Sequence, residues 1–289
     1  MRILVTGAHG QLGRALLNAI VAAGHQVVGI DLPDGDLAEP GVAASILNLH
    51  RPDHVIHAAA YTAVDLAESE REQAEAGNVT ATERLAAACD GVGCPLTHVS
   101  TDYVFDGADI DGYNEDARRN PLNWYGDTKA RAEDAVLAMG TPSRVVRTSW
   151  LFGHGRANFV LTMRRLLAER ETLRVVDDQV GSPTYAPDLA ALLTELATTQ
   201  AWGVFHATNS GVTSWCGFAR EIAAGMGLDP GRIEACRTED YPTPAPRPAC
   251  SVLHDTRLAG LGLAPQPTWQ DALARYFGWL QRNEETDAT

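Results

Sequence analysis

A glycine at every third position follows the first apolar run of this chain. Residues 2–6 have the composition of a buried strand, and Gly7, Gly10 and Gly13 come directly after them. A helical pattern and a second short apolar run follow, and that run ends at Asp31. Strand, glycine turn, helix and strand in this order predict a βαβ unit with parallel strands.

Each glycine of this turn has a predicted task. Gly7 permits the turn, Gly10 lets the backbone approach a pyrophosphate, and Gly13 allows close packing of helix on strand. The amino end of the helix offers unpaired N–H groups to an anion, so the turn predicts a dinucleotide site. Asp31 would accept a hydrogen bond from the adenosine ribose 2′-OH, which favours NADH over NADPH; alternatively, it only caps a turn.

The rest of the chain continues the alternation of strands and helices. A long helical pattern covers residues 69–89, and a last amphipathic helix at 269–280 precedes a polar tail at 282–289. We predict an α/β fold, a Rossmann-type doubly wound parallel sheet with a smaller C-terminal substrate-binding lobe. Residues 1–150 would form the cofactor domain, completed by parts of 185–210, and residues 151–289 would form mainly the second lobe.

Composition restricts the partners. The formal charge of −14 argues against nucleic acid and against an anionic membrane, so neither is expected as a partner. The five cysteines form an odd set without a Cys-x-x-Cys pair, which predicts neither a metal site nor a disulfide framework. With no signal peptide or membrane-length apolar run, we expect a cytoplasmic protein.

Tyr125 and Lys129 are four residues apart at the start of a predicted helix, so they share one face. An ammonium near a phenol favours phenolate and lowers the phenol pKa, which would make Tyr125 a usable general acid. Thr101 and Asp102 end the strand before this helix, at the sheet edge where ligands bind. The Thr101 hydroxyl could orient a substrate carbonyl, or it could only cap the following turn.

Several segments of the chain resemble one enzyme family. They are VSTDYVFDG (99–107), PLNWYGDTK (121–129), RTSW (147–150), DQVGSP (178–183) and YPTPAPRP (241–248). In this order they are similar to the dTDP-4-dehydrorhamnose reductases, which are extended short-chain dehydrogenase/reductases. The resemblance implies NADH- or NADPH-dependent reduction of dTDP-4-dehydro-β-L-rhamnose, a dTDP-sugar substrate and a possible homodimer.

The resemblance also implies roles for individual residues. The catalytic set would be Thr101, Tyr125 and Lys129. The sugar nucleotide would contact Thr101, Asp102 and Trp150, although Trp150 could be plain core. Besides the three glycines, Tyr125 and Lys129, the cofactor would be lined by Gln11, Leu12, Asp31, Asp36, Leu37, Ala59, Ala60, Thr62 and Val99.

Residues 241–248 are too rich in proline for a helix or a central strand, so we expect a stiff extended loop. Arg247 in this loop is a candidate contact to the diphosphate, because a guanidinium pairs well with phosphate; otherwise it is a surface arginine.

Three alternative functions stay open. The chain could reduce another dTDP-4-dehydro-6-deoxysugar. It could be a non-catalytic NAD(P)-binding regulatory subunit, against which the intact Thr101, Tyr125 and Lys129 argue. An epimerase or dehydratase is the third, and a dehydratase would need acid-base carboxylates beyond Asp102.

Overall fold

A parallel sheet of six strands forms the centre of the protein, as seen in a computed structural model that describes residues 1–155 and 157–287. All neighbouring strands of this sheet are parallel. In spatial order the strands are β10 (Gly203–His206), β5 (Ser143–Thr148), β4 (Leu96–Thr101), β3 (His54–His57), β1 (Arg2–Thr6) and β2 (Gln26–Ile30). The strand order reverses between β1 and β3, which is where ligands bind in such sheets. The predicted Rossmann-type fold class is confirmed.

Helices cover both faces of the large sheet. On one face, side chains of α1 (Gln11–Ala22) and α7 (Ala186–Ala197) form an apolar cluster with β1. On the other face, α2 (Val42–His50) and α4 (Ala81–Val92) form a second cluster with β1, β3 and β4. Both faces of a parallel sheet are buried in this arrangement, which explains its nearly continuous apolar strands.

The long helix predicted at residues 69–89 is interrupted. It comprises α3 (Arg71–Glu75), a π-helical turn (Ala76–Thr80) and α4. The wider turn contains Asn78, whose buried side chain bonds both the backbone N–H and C=O of Tyr61 and the Thr128 hydroxyl. Because the Asn78 side chain bonds three groups from two other segments, these tertiary contacts favour the wider helical turn at this point.

The second lobe is built from short pairs of strands and three helices. The helices are α6 (Phe159–Glu169), α8 (Trp215–Gly225) and α9 (Trp269–Asp287). The strand pairs are β6 (Leu151–Phe152) with β9 (Thr184–Tyr185), β7 (Leu173–Val176) with β12 (Ile233–Cys236), and β8 (Val180–Gly181) with β11 (Thr213–Ser214). An aromatic core that includes Phe152, Phe218 and Tyr276 joins these helices to the pairs β6–β9 and β7–β12.

The last helix is longer than predicted. We expected helix to residue 280 and an irregular tail from 282, but α9 continues to Asp287, and residues 288 and 289 lie outside the described residues. The polar residues at 282–287 carry no helix breaker, so α9 can extend beyond its apolar face. None of the helices in the described part of the chain is long and apolar enough to cross a membrane.

Candidate active site

The glycine turn lies at the carboxyl end of β1 and has no room for side chains. Gly7 has a φ of +68°, and a Cβ there would lie 2.8 Å from the Cα of Ala59. A Cβ on Gly13 would lie only 2.0 Å from the carbonyl oxygen of Gly7. Gly10 precedes α1 without a side-chain cap, so the first N–H groups of the helix need an outside acceptor. This turn, called the glycine cradle below, fits the pyrophosphate of a dinucleotide.

Asp31 follows β2 at the same edge of the sheet. Its Oδ2 accepts a hydrogen bond from the His9 N–H at 2.7 Å, and its Oδ1 accepts one from the Leu32 N–H at 2.9 Å. It therefore caps the turn after β2, as the alternative interpretation expected. A carboxylate has further lone pairs, so the proposed bond to a ribose hydroxyl is compatible with this geometry.

The other residues expected at the cofactor follow β1, β2 and β3, except Val99, which lies within β4. Gln11 is on the first turn of α1, and its Oε1 accepts from Asn158 Nδ2 at 3.1 Å. The side chains of Leu12 and Leu37 are buried in the two apolar clusters, so only their backbones can face a ligand. Asp36 and Thr62 are exposed, whereas Ala59, Ala60 and Val99 are partly buried.

Tyr125 and Thr101 are both buried at the carboxyl end of β4. Tyr125 is on the first turn of α5 (Trp124–Leu137), which Asn123 caps through a 2.8 Å bond to the Gly126 N–H. The Thr101 hydroxyl donates to Asp102 Oδ1 at 2.9 Å and accepts from the Tyr103 N–H at 3.2 Å. Thr101 thus caps the following turn, and its side chain also favours the phenolate form of Tyr125.

Lys129 lies one helical turn beyond Tyr125 and is 2 % exposed. Its Nζ donates to the Val99 carbonyl oxygen at 2.9 Å and bonds His98 Nε2 at 3.0 Å. Burial lowers the pKa of Lys129 to about 7, against the opposing charge of Glu133.

The expected effect of Lys129 on Tyr125 is not seen in this structure. Burial, reinforced by the charge of Asp102, raises the pKa of Tyr125, whereas we predicted a lowered pKa. The amino group is directed at β4, and burial of the phenol outweighs any favourable effect of the nearby ammonium.

Asp102 is a buried carboxyl group directly after β4. Burial raises its pKa to about 6, while the Ser251 and Thr101 hydroxyls oppose this. Its Oδ2 is buried without a hydrogen-bond partner among the described residues. Buried polar atoms are normally hydrogen-bonded, so this oxygen is suited to a donor from a bound ligand, such as a sugar hydroxyl.

Trp150 has a backbone conformation that bulky residues seldom adopt. Its φ is +48°, and its ring stacks on Trp215 with 3.6 Å between centroids and 9° between planes. A Cβ on Gly181 would lie 2.6 Å from the Trp150 ring. Left-handed conformations of large residues concentrate at functional sites, which favours a ligand contact over plain core. Trp215 was not predicted, because nothing in the sequence separates it from core aromatics.

Arg247 is paired with a carboxylate in this structure. Its Nη2 bonds Asp65 Oδ2 at 2.8 Å, and Asp65 also accepts from the Ala245 N–H at 3.1 Å. The proline-rich loop is thereby tied to the segment that follows β3. The proposed diphosphate contact stays a prediction, and the ion pair with Asp65 was not foreseen.

No group of three or more His, Cys, Asp or Glu side chains within residues 1–155 and 157–283 is arranged to hold a metal ion. The candidate site has three parts at the carboxyl edge of the sheet: the glycine cradle, the buried side chains of Thr101, Tyr125 and Lys129, and the stacked rings of Trp150 and Trp215. This fold and site define a Rossmann-type NAD(P)-binding enzyme of the extended short-chain dehydrogenase/reductase class.

Comparison with known proteins identifies the family within that class. The model of the RmlD substrate binding domain matches residues 1–282, and the chain belongs to this family. A dTDP-4-dehydrorhamnose reductase from Mycolicibacterium smegmatis is 43 % identical over 276 residues, which cover 94 % of this chain and 84 % of the relative. A dTDP-4-keto-6-deoxy-D-glucose reductase from Streptomyces niveus is 38 % identical over 284 residues, 98 % of this chain and 99 % of the relative.

A solved structure supports the same assignment. The dTDP-4-dehydrorhamnose reductase from Bacillus anthracis, determined in complex with NADP, superposes with a TM-score of 0.92. It is 36 % identical, and the match covers 96 % of this chain and 98 % of that one.

Proposed function

We propose that this protein reduces the C4 ketone of dTDP-4-dehydro-β-L-rhamnose to give dTDP-β-L-rhamnose, with NADPH or NADH as the reductant. The observation that carries the proposal is the placement of buried Thr101 and Tyr125 at the same carboxyl edge of the sheet as the glycine cradle, two strands away, in a chain 43 % identical to a reductase of that name. The reaction supplies activated rhamnose.

The buried side chains have distinct tasks in this reaction. A bound nicotinamide supplies the hydride that adds to C4 of the sugar. Tyr125 donates the proton to the carbonyl oxygen, and its raised pKa keeps the phenol protonated until negative charge develops there. The Thr101 hydroxyl rotates away from Asp102 Oδ1 to donate to the same oxygen, and the Lys129 ammonium stabilises the phenolate that is left behind.

The substrate is held from both lobes. Asp102 Oδ2 accepts from a sugar hydroxyl, since it has no other partner in the described chain. Trp150, backed by Trp215, offers a flat apolar surface to the sugar ring. Arg247 attracts the diphosphate from the end of the proline-rich loop, although Asp65 offsets part of its charge.

The choice between the two nicotinamides depends on Asp31. The carboxylate charge repels a 2′-phosphate, which supports NADH, whereas the relative from Bacillus anthracis was solved with NADP. Two backbone N–H groups already bond Asp31 and disperse its charge, which makes acceptance of NADPH as well physically reasonable.

The domain division and setting follow the same proposal. Residues 1–150 hold the cofactor and 151–289 mainly the sugar nucleotide, with a discontinuous boundary because β10 pairs with β5. We place the enzyme in the cytoplasm as a homodimer. The five free cysteines fit a reducing compartment, and light scattering would test the dimer.

Product analysis tests the reaction. The purified protein is incubated with a panel of dTDP-4-keto hexoses and either NADH or NADPH, and the products are identified by NMR spectroscopy. We expect the L-rhamnose nucleotide from dTDP-4-dehydro-β-L-rhamnose. Bound cofactor without turnover of any sugar would contradict the proposal and favour a regulatory subunit.

The same panel of sugars also tests a second reaction. The relative from Streptomyces niveus is named for reduction of dTDP-4-keto-6-deoxy-D-glucose and covers nearly the whole chain. Faster turnover of that sugar would identify this protein as its reductase, and the roles of Tyr125 and Thr101 would be unchanged.

A further inference from the structure

The amino group of Lys129 is hydrogen-bonded to strand β4 of the central sheet. Its acceptors are the Val99 carbonyl oxygen at 2.9 Å and His98 Nε2 at 3.0 Å. Both residues belong to β4, the strand that ends at Thr101. His98 is completely buried, so water does not compete for its ring nitrogen. A buried acceptor at this distance fixes the direction of the ammonium group.

His98 is itself part of a buried network that begins at the glycine cradle. Its ring lies against the ring of His57, with 5.2 Å between centroids. His57 Nδ1 bonds Thr6 Oγ1 at 2.7 Å, and His57 Nε2 bonds Thr82 Oγ1 at 3.0 Å. Thr6 Oγ1 also accepts from the Ala59 N–H at 3.2 Å. The network therefore joins the cofactor edge of β1 and β3 to the catalytic helix.

The bonding pattern determines where the protons lie. The Thr82 hydroxyl donates to the Asn78 carbonyl oxygen at 2.6 Å, so it accepts from His57 Nε2–H, and His57 Nδ1 accepts from Thr6. His98 Nε2 faces an ammonium and accepts, which puts the His98 proton on Nδ1. Both rings are neutral in this arrangement, since burial and the nearby Lys129 keep the pKa of each below its ordinary value.

The chain contains no other lysine. Lys129 is one of 23 basic residues, and the remaining 22 are arginine. Composition alone would favour arginine at position 129, but a guanidinium is larger and stays charged under all conditions. A compact ammonium is what the space between Tyr125, Val99 and His98 requires.

We propose that His98 is a positioning residue for catalysis: its Nε2 lone pair orients the Lys129 ammonium and keeps it charged one helical turn from Tyr125. The proposal rests on the proposed reductase function for its effect on turnover. Its effect on Lys129 can be measured without substrate or cofactor.

Titratable groups around Lys129 come from three elements. Glu133 lies one turn further along α5, His98 is on β4, and His57 is on β3. The Glu133 carboxylate is bonded by Arg147 Nη2 at 2.7 Å and by Arg119 Nη1 at 3.1 Å, so much of its charge is offset. The neutral acceptor on His98 is then the direct side-chain support for the ammonium.

The single lysine makes a direct measurement possible. Protein labelled with ¹³C at lysine Cε gives one lysine resonance, and its pH titration reports the pKa of Lys129. Removal of the acceptor disfavours the charged form, so we expect His98→Leu to lower that pKa by about one pH unit. His98→Gln, whose amide oxygen reaches the position of Nε2, should restore most of the difference.

A matched control is available on the next strand. His54 is also buried, but its Nε2 bonds Thr97 Oγ1 and not Lys129. His54→Leu should therefore destabilise the fold to a similar degree without moving the Lys129 titration. Should His98→Leu fail to fold, His98→Asn replaces it, because the shorter amide leaves the Nε2 position empty while keeping a polar group.

Turnover provides the second measurement. Loss of the ammonium at high pH defines the alkaline limb of the kcat profile, and we expect this limb to move to lower pH in His98→Leu, in step with the lysine resonance. His98→Gln and His54→Leu should keep the wild-type limb. An unmoved resonance and limb in both His98→Leu and His98→Asn overturn the proposal. Wild-type protein that reduces no sugar refutes the proposed function instead, and the resonance still decides the role of His98.

Discussion

Tyr125 illustrates how burial decides the chemistry of a single residue. The sequence suggested a phenol acidified by Lys129, but in the folded chain burial keeps the proton on the phenol. A protonated phenol is what a proton donor must be before the reaction, so the donor role does not depend on a lowered pKa. What matters is that charge develops on the ketone oxygen within reach of the phenol.

Substitution of Tyr125 tests this donor role. Tyr125→Phe removes the proton and keeps the ring that meets Tyr103 edge to face at 5.7 Å. We expect kcat to fall by about 10²-fold or more, the typical contribution of a general acid, with nearly unchanged NADH affinity. Steady-state kinetics and cofactor titration by fluorescence provide the two numbers. Retention of most of the activity would refute the role of Tyr125.

Asp102 should make substrate binding pH-dependent. Its pKa is raised to about 6, so the carboxylate that accepts from the sugar is lost as pH falls through that value. We expect KM for the sugar nucleotide to rise between pH 7 and pH 5 while NADH affinity stays constant. Asp102→Asn removes the titration, so its KM should be higher than wild type at pH 7 and flat over this range. A sloping KM in Asp102→Asn would assign the effect to another group.

At the scale of elements, the turn between β1 and α1 should tolerate no added methyl group. Gly13→Ala would place a Cβ 2.0 Å from the carbonyl oxygen of Gly7. This oxygen is a backbone atom, so it cannot move aside as a side chain could. We expect a loss of about 1–3 kcal/mol in stability and weaker cofactor binding, measured by urea unfolding and NADH titration.

Gly91 provides the control for that substitution. It lies inside α4 and a Cβ there would meet nothing within 4 Å. Gly91→Ala should therefore stabilise the protein by up to about 1 kcal/mol through helix propensity. Equal behaviour of the two alanine variants would show that the cradle of the glycine turn is not rigid.

The proline-rich loop makes a prediction that separates two roles of Arg247. If the ion pair with Asp65 fastens the loop over the site, Arg247→Ala and Asp65→Ala each raise KM for the sugar nucleotide, and the double variant is little worse than Arg247→Ala alone. We expect this outcome with an additional loss in Arg247→Ala from the diphosphate contact. A lower KM in Asp65→Ala would instead mean that the carboxylate only competes with the diphosphate for Arg247.

Local patterns predicted some elements well and contacts between distant segments poorly. The βαβ opening and the helix that bears Tyr125 and Lys129 follow from local periodicity, glycine spacing and capping. The π-helical turn at Asn78 depends on Tyr61 and Thr128, which are 17 and 50 residues away in the chain. Likewise, Arg247 meets Asp65 across 182 residues, a separation at which local patterns carry no information.

At the scale of the whole molecule, buried histidines should control acid stability. His54, His57 and His98 lie in β3 and β4, and His206 lies in β10, so all four belong to the central sheet. Burial, together with nearby positive charges, lowers the pKa of His54 and of His57 to about 3 and that of His206 to about 4; the pKa of His98 is also well below its ordinary value. The unfolded chain binds protons on these residues near pH 6.5, where the folded chain does not.

The sign of the effect follows from proton linkage. Between about pH 6.5 and pH 4 the unfolded state holds up to four more histidine protons, so the free energy of unfolding falls as the solution is acidified. Asp102 acts in the opposite direction, because its raised pKa lets the folded state take up a proton first between pH 6 and pH 3.8. About three protons remain, and each costs about 1.4 kcal/mol per pH unit. A stability of about 5–15 kcal/mol would therefore be largely consumed within a few pH units.

We expect the urea midpoint to fall steeply from pH 6.5 to pH 4.5, with a slope that corresponds to about three protons. His54→Gln keeps a partner for Thr97 but cannot titrate in this range, so its slope should be smaller by about one proton. Urea unfolding followed by circular dichroism at half-unit pH steps measures both slopes. A wild-type midpoint that stays constant over this range, or a His54→Gln slope equal to that of the wild type, would mean that these histidines titrate alike in the folded and unfolded chain.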